Sequence, residues 1–171
     1  MFQLALPEGC HCEVLVCSIV DAGHFFVQQP AHPSYQSLSR LDCYMFAVYS
    51  ISAGIPQLPK PCEPGLLCAA PANGGWFRAV TVACSEVEDE VLVQFVDYGG
   101  YSSILRSDLR QIRSDFMSLP FQAAECYLAH VQPVDGSSSW SSKATKIFQA
   151  LTTGRVVDAF VVGHDIDDMM I

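Results

Sequence analysis

Basic residues are scarce in this chain. Nine lysines and arginines stand against eighteen aspartates and glutamates, which gives a formal charge of −9 over 171 residues. A field of that sign repels phosphate backbones and attracts cationic ligands or arginine-rich segments. The charge therefore argues against direct binding of free nucleic acid, unless the basic residues converge on one patch, and leaves nucleic acid as an indirect partner.

Long hydrophobic runs are also missing, although half of the residues are hydrophobic. The longest apolar pieces are short segments such as MFAV and AFVV, far below the roughly 20 residues that a membrane-spanning helix needs. No positively charged stretch or small-residue cleavage site follows Met1, so no secretory signal is predicted. We expect no direct membrane contact by this segment.

Paired metal-ligand spacings are absent. The eight cysteines form no CxxC pair, and we expect buried, reduced thiols in a protein that faces the cytosol. CHC at Cys10–Cys12 could form one corner of a metal site, but a closed zinc site needs four ligands. The acidic segment GHDIDD, which begins at Gly163, lacks a complementary ligand set and is interpreted as a solvated strand end. No metal and no cofactor are predicted.

Clustered catalytic groups are missing as well. Metal-assisted phosphodiester hydrolysis needs grouped carboxylates for the ion and arginines for the phosphate charge. The charged residues between Cys12 and Leu58 are only Glu13, Asp21, Arg40 and Asp42. No Ser-His-Asp or Cys-His arrangement is recognisable, so the sequence predicts a protein that is not an enzyme.

The first part of the chain alternates apolar and polar residues. CEVLVCSIV and HFFVQQ, joined by the turn DAG, predict a β-hairpin. Pro33 can occupy a first helical turn, and an amphipathic helix is predicted from the spacing of Leu38, Leu41, Met45 and Val48. The segment Ala53–Gly65 holds four prolines and two glycines, a composition typical of a linker.

Short strands separated by turns follow the linker. LLCAAP, WFRAVTVAC, VLVQFVDYG and YSSIL have the spacing of a small antiparallel barrel. After them AAECYLAHVQPV is strand-like, Ser139 is a candidate cap for a helix that ends at Gly154, and RVVDAFVV is another strand. Neither flank of the barrel can bury its apolar face alone, so we expect the flanks to pack together as one split domain.

Aromatic residues gather near the DYGG turn. Phe77 shares its strand face with the small residues Ala79 and Thr81, which leaves its ring partly uncovered. Phe95 and Tyr98 have opposite strand parity and can approach Phe77 only if the chain bends, which the two glycines permit. Three such rings can hold a methylated lysine or arginine, with about 0.5–2 kcal/mol per contact; the alternative is that they are ordinary core aromatics.

Two long stretches carry a family resemblance. CAAPANGGWFRAVTVACSEVEDEVLVQFVDYGG and LRQIRSDFMSLPFQAAEC resemble the extended Tudor domain in the WYRA-type strand, the DYG turn and the LPFQA exit. The resemblance implies a mainly β fold with two helices, in which a Tudor β-barrel (59–116) is inserted into a split staphylococcal-nuclease-like (OB-fold) subdomain (1–58 and 117–171). It also implies further strands after Ile171.

The resemblance implies a ligand and a site. In this family symmetric dimethylarginine within Gly-Arg or Ala-Arg repeats is held by an aromatic cage and an asparagine. Carried over by position, the cage rings fall on Phe77, Phe95 and Tyr98. Pro71 stands where a further aromatic is expected, and Gly100 stands where the asparagine is expected.

These departures weaken the expected site. The loss of a hydrogen bond to a charged group can cost about 1.5–3 kcal/mol. Tyr101 is a candidate substitute wall, or else a strand residue that covers the barrel rim. Two functions stay open: a weak methylarginine or arginine-rich peptide reader, and a degenerate domain that dimerises or docks a partner. Replacement of Phe95 or Tyr98 by alanine should abolish only the first.

Charged residues around the barrel are expected to have structural roles. Asp97 is interpreted as a turn-capping carboxylate, and Arg110 and Arg113 are interpreted as partners of Asp108 or Asp115.

Overall fold

The computed structural model describes residues 2–51 and 54–164, which form two antiparallel sheets and two helices. The predicted mainly β fold with two helices is confirmed. In chain order the elements are β1 (His11–Asp21), β2 (His24–Gln28), α1 (Leu38–Tyr49), β3 (Leu67–Ala72), β4 (Gly75–Ser85), β5 (Glu90–Phe95), β6 (Tyr101–Leu105), β7 (Arg110–Gln111), β8 (Ala124–Tyr127), α2 (Ser142–Thr152) and β9 (Val156–Phe160).

The two sheets divide the chain in an unusual way. The four-stranded sheet has the order β8-β2-β1-β9, so it combines the predicted N-terminal hairpin with two strands from the C-terminal part. The five-stranded sheet has the order β6-β5-β4-β3-β7, and all of its strands come from the stretch between. Each sheet therefore depends on contacts between residues far apart in sequence.

Small residues form the centre of the five-stranded sheet. Ala70 and Ala79 are fully buried on β3 and β4 and pack with Val91 and Val93 of β5 and with Leu109. Since each alternate residue of a strand faces the same side, this set forms one inward face. Strand β7 was not predicted because two residues are too few to show an alternating pattern.

Helix α1 covers the other face of this sheet. Its buried side chains are Leu38, Leu41, Met45 and Tyr49, at the expected helical spacing. They pack against Ala69 and Phe116, and the Tyr49 ring lies 5.5 Å from that of Trp76. The Tyr49 hydroxyl also donates to the carbonyl oxygen of Gln111 (3.0 Å). Tyr49 thus fixes the helix to two strands of the sheet, β4 through Trp76 and β7 through Gln111.

Helix α2 packs on the four-stranded sheet, where the Phe148 ring lies 5.2 Å from that of Phe25. Its cap is Ser141, whose side chain accepts a hydrogen bond from the Ala144 amide (3.2 Å). The predicted cap, Ser139, is wrong because the helix begins three residues further on. Residue 140, the tryptophan, lies outside the helix and packs on Gly23, where any side chain would overlap it.

The proline-rich segment is held against the five-stranded sheet. From Gly54 onwards it has no regular structure, but Leu58 is buried in the sheet's core. The Pro56 carbonyl accepts from the Gln111 amide (2.9 Å), and the Glu63 carbonyl accepts from the Thr81 hydroxyl (2.7 Å). The linker is therefore a packed part of the domain over its described residues.

The cysteines depart from the expected burial. All eight are free, but only Cys68 is buried, and Cys10 and Cys43 are exposed. Burial raises the pKa of Cys68 and of half-buried Cys17 to about 12.

The described part of the chain has no group of metal ligands and no membrane-spanning helix. Within it, no group of three or more His, Cys, Asp or Glu side chains could hold a metal ion, and no helix is long and apolar enough to cross a membrane. The acidic residues of GHDIDD, from position 165 onwards, lie outside the described residues.

Candidate aromatic cage

Strand register brings Phe77 and Phe95 together. Phe95 of β5 pairs with Ala79 of β4, and Ala79 lies two residues from Phe77 on the same strand face. The two rings are therefore diagonal neighbours across the strand pair. Their centroids lie 6.4 Å apart with an interplanar angle of 87°. Phe95 packs against the core cluster that contains the small residues Ala70 and Ala79.

The turn after β5 supplies the third ring. The Gly99 amide donates to the Phe95 carbonyl (2.8 Å), and the Phe95 amide donates to the Gly100 carbonyl (3.0 Å). Both glycines have positive φ, +74° and +81°, a conformation that side chains disfavour. The tight turn carries Tyr98 back towards Phe77, with ring centroids 5.5 Å apart and an interplanar angle of 82°.

Tyr98 is anchored by helix α1. Its hydroxyl donates to the Oδ2 atom of Asp42 at 2.5 Å, and its ring packs against the cluster of buried α1 side chains. Burial and the adjacent Asp42 carboxylate raise the pKa of Tyr98 well above its usual range. Burial also raises the pKa of Asp42, against the lowering effect of the Tyr98 hydrogen bond. The role of Asp42 is not predictable from the sequence because it lies 56 positions before Tyr98 in the chain.

The neighbours of Pro71 and Gly100, the two positions that depart from the family pattern, are defined in the structure. Pro71 pairs with Trp76, and Trp76 lies on the opposite face of β4 from Phe77. A side chain at Gly100 would place its Cβ 2.8 Å from the Oγ atom of Ser18. Ser18 of the four-stranded sheet thus occupies part of the space that an asparagine would need.

Tyr101 lies on the rim that faces the four-stranded sheet. It pairs with Gln94, and the face of Gln94 is opposite to that of Phe95. Its ring contacts Phe26 (5.9 Å) and His24 (6.3 Å), and its hydroxyl donates to Glu125 (2.8 Å). The structure therefore brings Phe77, Phe95 and Tyr98 together and places Tyr101 in a second aromatic cluster.

A buried ion pair lies directly behind the cage. Arg78 and Asp97, which are 0% and 2% exposed, form two hydrogen bonds, from Nε to Oδ2 (2.8 Å) and from Nη2 to Oδ1 (2.6 Å). Asp97 is therefore the partner of a buried guanidinium, and its interpretation as a turn cap is wrong. Arg78 and Asp97 are direct sequence neighbours of Phe77 and Tyr98, so their side chains point away from the cage.

The turn is also the junction between the two sheets. Gln28 of β2 donates to the Asp97 carbonyl (2.5 Å), and the Gln122 amide donates to the Asp97 carboxylate (3.2 Å). The Phe26 side chain lies so close to Gly99 that a side chain there would overlap it. The cage is thus built on the segment where the two halves of the molecule meet.

The two arginines near the end of the five-stranded sheet, Arg110 and Arg113, have different kinds of partner. Arg113 pairs with Asp115 (2.7 Å) as predicted. Arg110 instead donates to the carbonyl oxygens of Ser107 (2.5 Å) and Leu109 (2.9 Å), so its predicted carboxylate pairing is replaced by main-chain contacts.

The fold and the three rings define a class of protein. The family model described as the Tudor domain matches residues 6–130, and the chain belongs to the Tudor domain family. The solved extended Tudor domain TD3 of mouse TDRD1, in complex with a MILI peptide containing dimethylarginine 45, superimposes with a TM-score of 0.82 at 26% identity, covering 96% of this chain and 82% of that one.

Two curated relatives are more similar in sequence. The KH domain-containing protein akap-1 of Caenorhabditis elegans is 56% identical over 164 residues, which is 96% of this chain. The A-kinase anchor protein 1, mitochondrial, of Mus musculus is 44% identical over 162 residues, or 94% of this chain. The chain is therefore related to A-kinase anchoring proteins. The chain spans 19% of the length of each of these relatives.

Proposed function

We propose that this chain is a non-enzymatic protein-interaction module that binds methylated-arginine or arginine-rich peptides weakly, through Phe77, Phe95 and Tyr98. The observation that carries the proposal is the edge-to-face packing of Phe77 with Phe95 (6.4 Å) and with Tyr98 (5.5 Å). Ring faces attract a cation by about 0.5–2 kcal/mol per contact. The dimethylarginine peptide bound by the mouse TDRD1 domain supports the same ligand class.

The weakness of the site follows from Pro71 and Gly100. No aromatic wall comes from Pro71, and Gly100 offers no amide. The missing hydrogen bond to a charged ligand costs about 1.5–3 kcal/mol, and 1.4 kcal/mol corresponds to a tenfold change in the dissociation constant. Affinity in the range between micromolar and millimolar is expected.

Domain organisation is part of the proposal. The barrel spans 59–116 and is inserted into a split nuclease-like (OB-fold) subdomain formed by 1–58 and 117–171. Support comes from the four-stranded sheet, whose β1 and β2 precede the barrel and whose β8 and β9 follow it.

The parent protein is proposed to be a scaffold at the mitochondrial outer membrane, with this domain on the cytosolic face. The names of the mouse and worm relatives, a mitochondrial A-kinase anchor protein and a KH domain-containing protein, support this assignment. Any RNA would then reach the complex through other segments, because this domain carries a charge of −9.

A second candidate function is homodimerisation or docking without methylarginine binding. In the described residues β9 is the last strand of its sheet, and its outward residues Val156 and Phe160 are 53% and 54% exposed. An uncovered strand edge with apolar side chains can pair with another chain.

Calorimetric titration and sedimentation of three proteins separate the two functions. The wild type, Phe77→Leu and Phe160→Ser are each titrated with a Gly-Arg-repeat peptide that carries symmetric dimethylarginine. Leucine keeps the apolar volume of Phe77 but has no ring face. The reader function predicts that only Phe77→Leu loses peptide affinity; unchanged affinity in Phe77→Leu, with dimers lost in Phe160→Ser, would favour the docking function.

A further inference from the structure

The carboxylate of Asp42 stands at the outer end of the Tyr98 wall. Its Oδ2 atom accepts the Tyr98 hydroxyl at 2.5 Å. Its Oδ1 atom has no hydrogen-bond partner among the residues that the structure describes, and it retains contact with solvent. The only hydrogen-bond partner of this half-buried carboxylate among the described residues is therefore a neutral phenol.

The fully buried carboxylate in the described part of the chain has a cationic partner, since Asp97 pairs with Arg78. Asp42 forms no such ion pair in residues 2–51 and 54–164. Partial burial of a carboxylate without a cation costs free energy. The place beside Asp42 thus suits an incoming cation, and the Tyr98 ring, which packs on Phe77, is in contact with it.

We propose that Asp42 is the counter-charge that holds the guanidinium of a bound arginine in the cage, in place of the amide that Gly100 lacks. The inference rests on the proposed function and deepens it. A guanidinium presents its N–H donors in a plane while its faces stay free for aromatic rings. Symmetric dimethylarginine keeps one N–H on each terminal nitrogen, so it can still donate to Oδ1. The expected ligand is arginine in preference to lysine.

Removal of the charge alone tests the proposal. Asp42→Asn keeps an oxygen acceptor for Tyr98 but carries no charge. Because a hydrogen bond to a charged group contributes about 1.5–3 kcal/mol, titration of the dimethylated Gly-Arg-repeat peptide should give at least about a tenfold weaker affinity than in the wild type. Asp158→Asn, which removes an equal charge from exposed β9, is the matched control and should bind as the wild type does.

Asp42→Glu separates the charge from the other effects of the substitution. It restores the carboxylate on a side chain one methylene longer, so part of the affinity that Asp42→Asn loses should return. If Asp42→Asn binds as tightly as the wild type, or if Asp42→Glu binds as weakly as Asp42→Asn, Asp42 does not act through its charge and the proposal is wrong.

Failure of the proposed reader function can be distinguished from failure of the counter-charge proposal. A wild type that binds no peptide rejects the reader function. A titration with N-methylguanidinium, followed at the side-chain carboxyl carbon of Asp42 by NMR, then decides the counter-charge by itself. A saturable shift of this resonance that is absent at the carboxyl carbon of Asp158 supports the proposal, and a constant resonance overturns it.

Discussion

Arg78 and Asp97 join the two sequence segments that carry the cage. They form a bidentate ion pair with N–O distances of 2.8 and 2.6 Å. Arg78 follows Phe77 and Asp97 precedes Tyr98, so the pair fixes the backbone beside both rings. The remaining Arg78 donors reach main-chain carbonyl oxygens, among them those of Phe116 (3.1 Å) and Leu119 (2.6 Å). The guanidinium therefore links β4, the turn after β5 and the segment that follows the five-stranded sheet.

Loss of Arg78 should be strongly destabilising. Arg78→Met leaves Asp97 buried without its cation, and removal of one partner of a buried pair typically costs about 3–5 kcal/mol. Arg113→Met breaks the exposed pair with Asp115, for which less than about 1 kcal/mol is expected. Urea unfolding measures both. Equal losses in the two variants would contradict the structural role assigned to Arg78.

Gly99 should tolerate no side chain. Its φ of +74° disfavours alanine, and the Cβ would overlap the ring of Phe26. Gly136 has a similar φ of +70° with nothing within 4 Å, so Gly136→Ala measures the backbone term alone, about 1 kcal/mol. Gly99→Ala should lose a further 1–3 kcal/mol, roughly, from overpacking. Thermal unfolding that gives the same loss for both would disprove the close contact with Phe26.

Restoring the family asparagine should strengthen the site only with a second change. Gly100→Asn alone brings a Cβ to within 2.8 Å of the Ser18 hydroxyl oxygen, whereas asparagine tolerates positive φ better than most residues. Ser18→Ala removes that oxygen. We expect the double variant to bind dimethylated Gly-Arg peptide about tenfold more tightly than Ser18→Ala alone. Equal affinities in a parallel titration would show that position 100 does not face the ligand.

Peptide affinity should fall at acidic pH. Burial raises the pKa of Asp42 above the ordinary value, Asp97 raises it further, and the Tyr98 hydroxyl and Arg78 lower it. A bound guanidinium favours the carboxylate, so affinity is complete above this raised pKa and declines as the pH falls through it towards about 3.9. Asp42→Asn should flatten the profile. A decline of equal size in that variant would assign the effect to another group.

Strand parity made part of the site predictable. Alternation placed Phe77 beside small residues, and the two glycines indicated a bend that returns Tyr98. The same rule, applied with the observed register, puts Tyr101 on the opposite face, but sequence alone does not reveal that its partner is Gln94. The pairing between strands, which decides this point, depends on contacts between distant residues.

Buried charge was the least predictable feature. Arginine is rarely fully buried, so Arg78 gave no signal of its own, and Asp97 resembled an ordinary turn residue. Asp42 lies 56 positions before Tyr98 in the chain, and only the packing of α1 on the five-stranded sheet brings them into contact. The helix itself was predictable from its apolar spacing, but not the strand on which it packs.

The most direct test of the account is an NMR titration of the labelled domain with symmetrically dimethylated, asymmetrically dimethylated and unmodified Gly-Arg peptides, with Phe95→Leu as the variant. The account predicts saturable shifts at Phe77, Phe95 and Tyr98 in the wild type and none that saturate in Phe95→Leu. An absence of shifts in the wild type at millimolar peptide, or equal shifts in both proteins, would contradict the assignment of these rings as an arginine-binding cage.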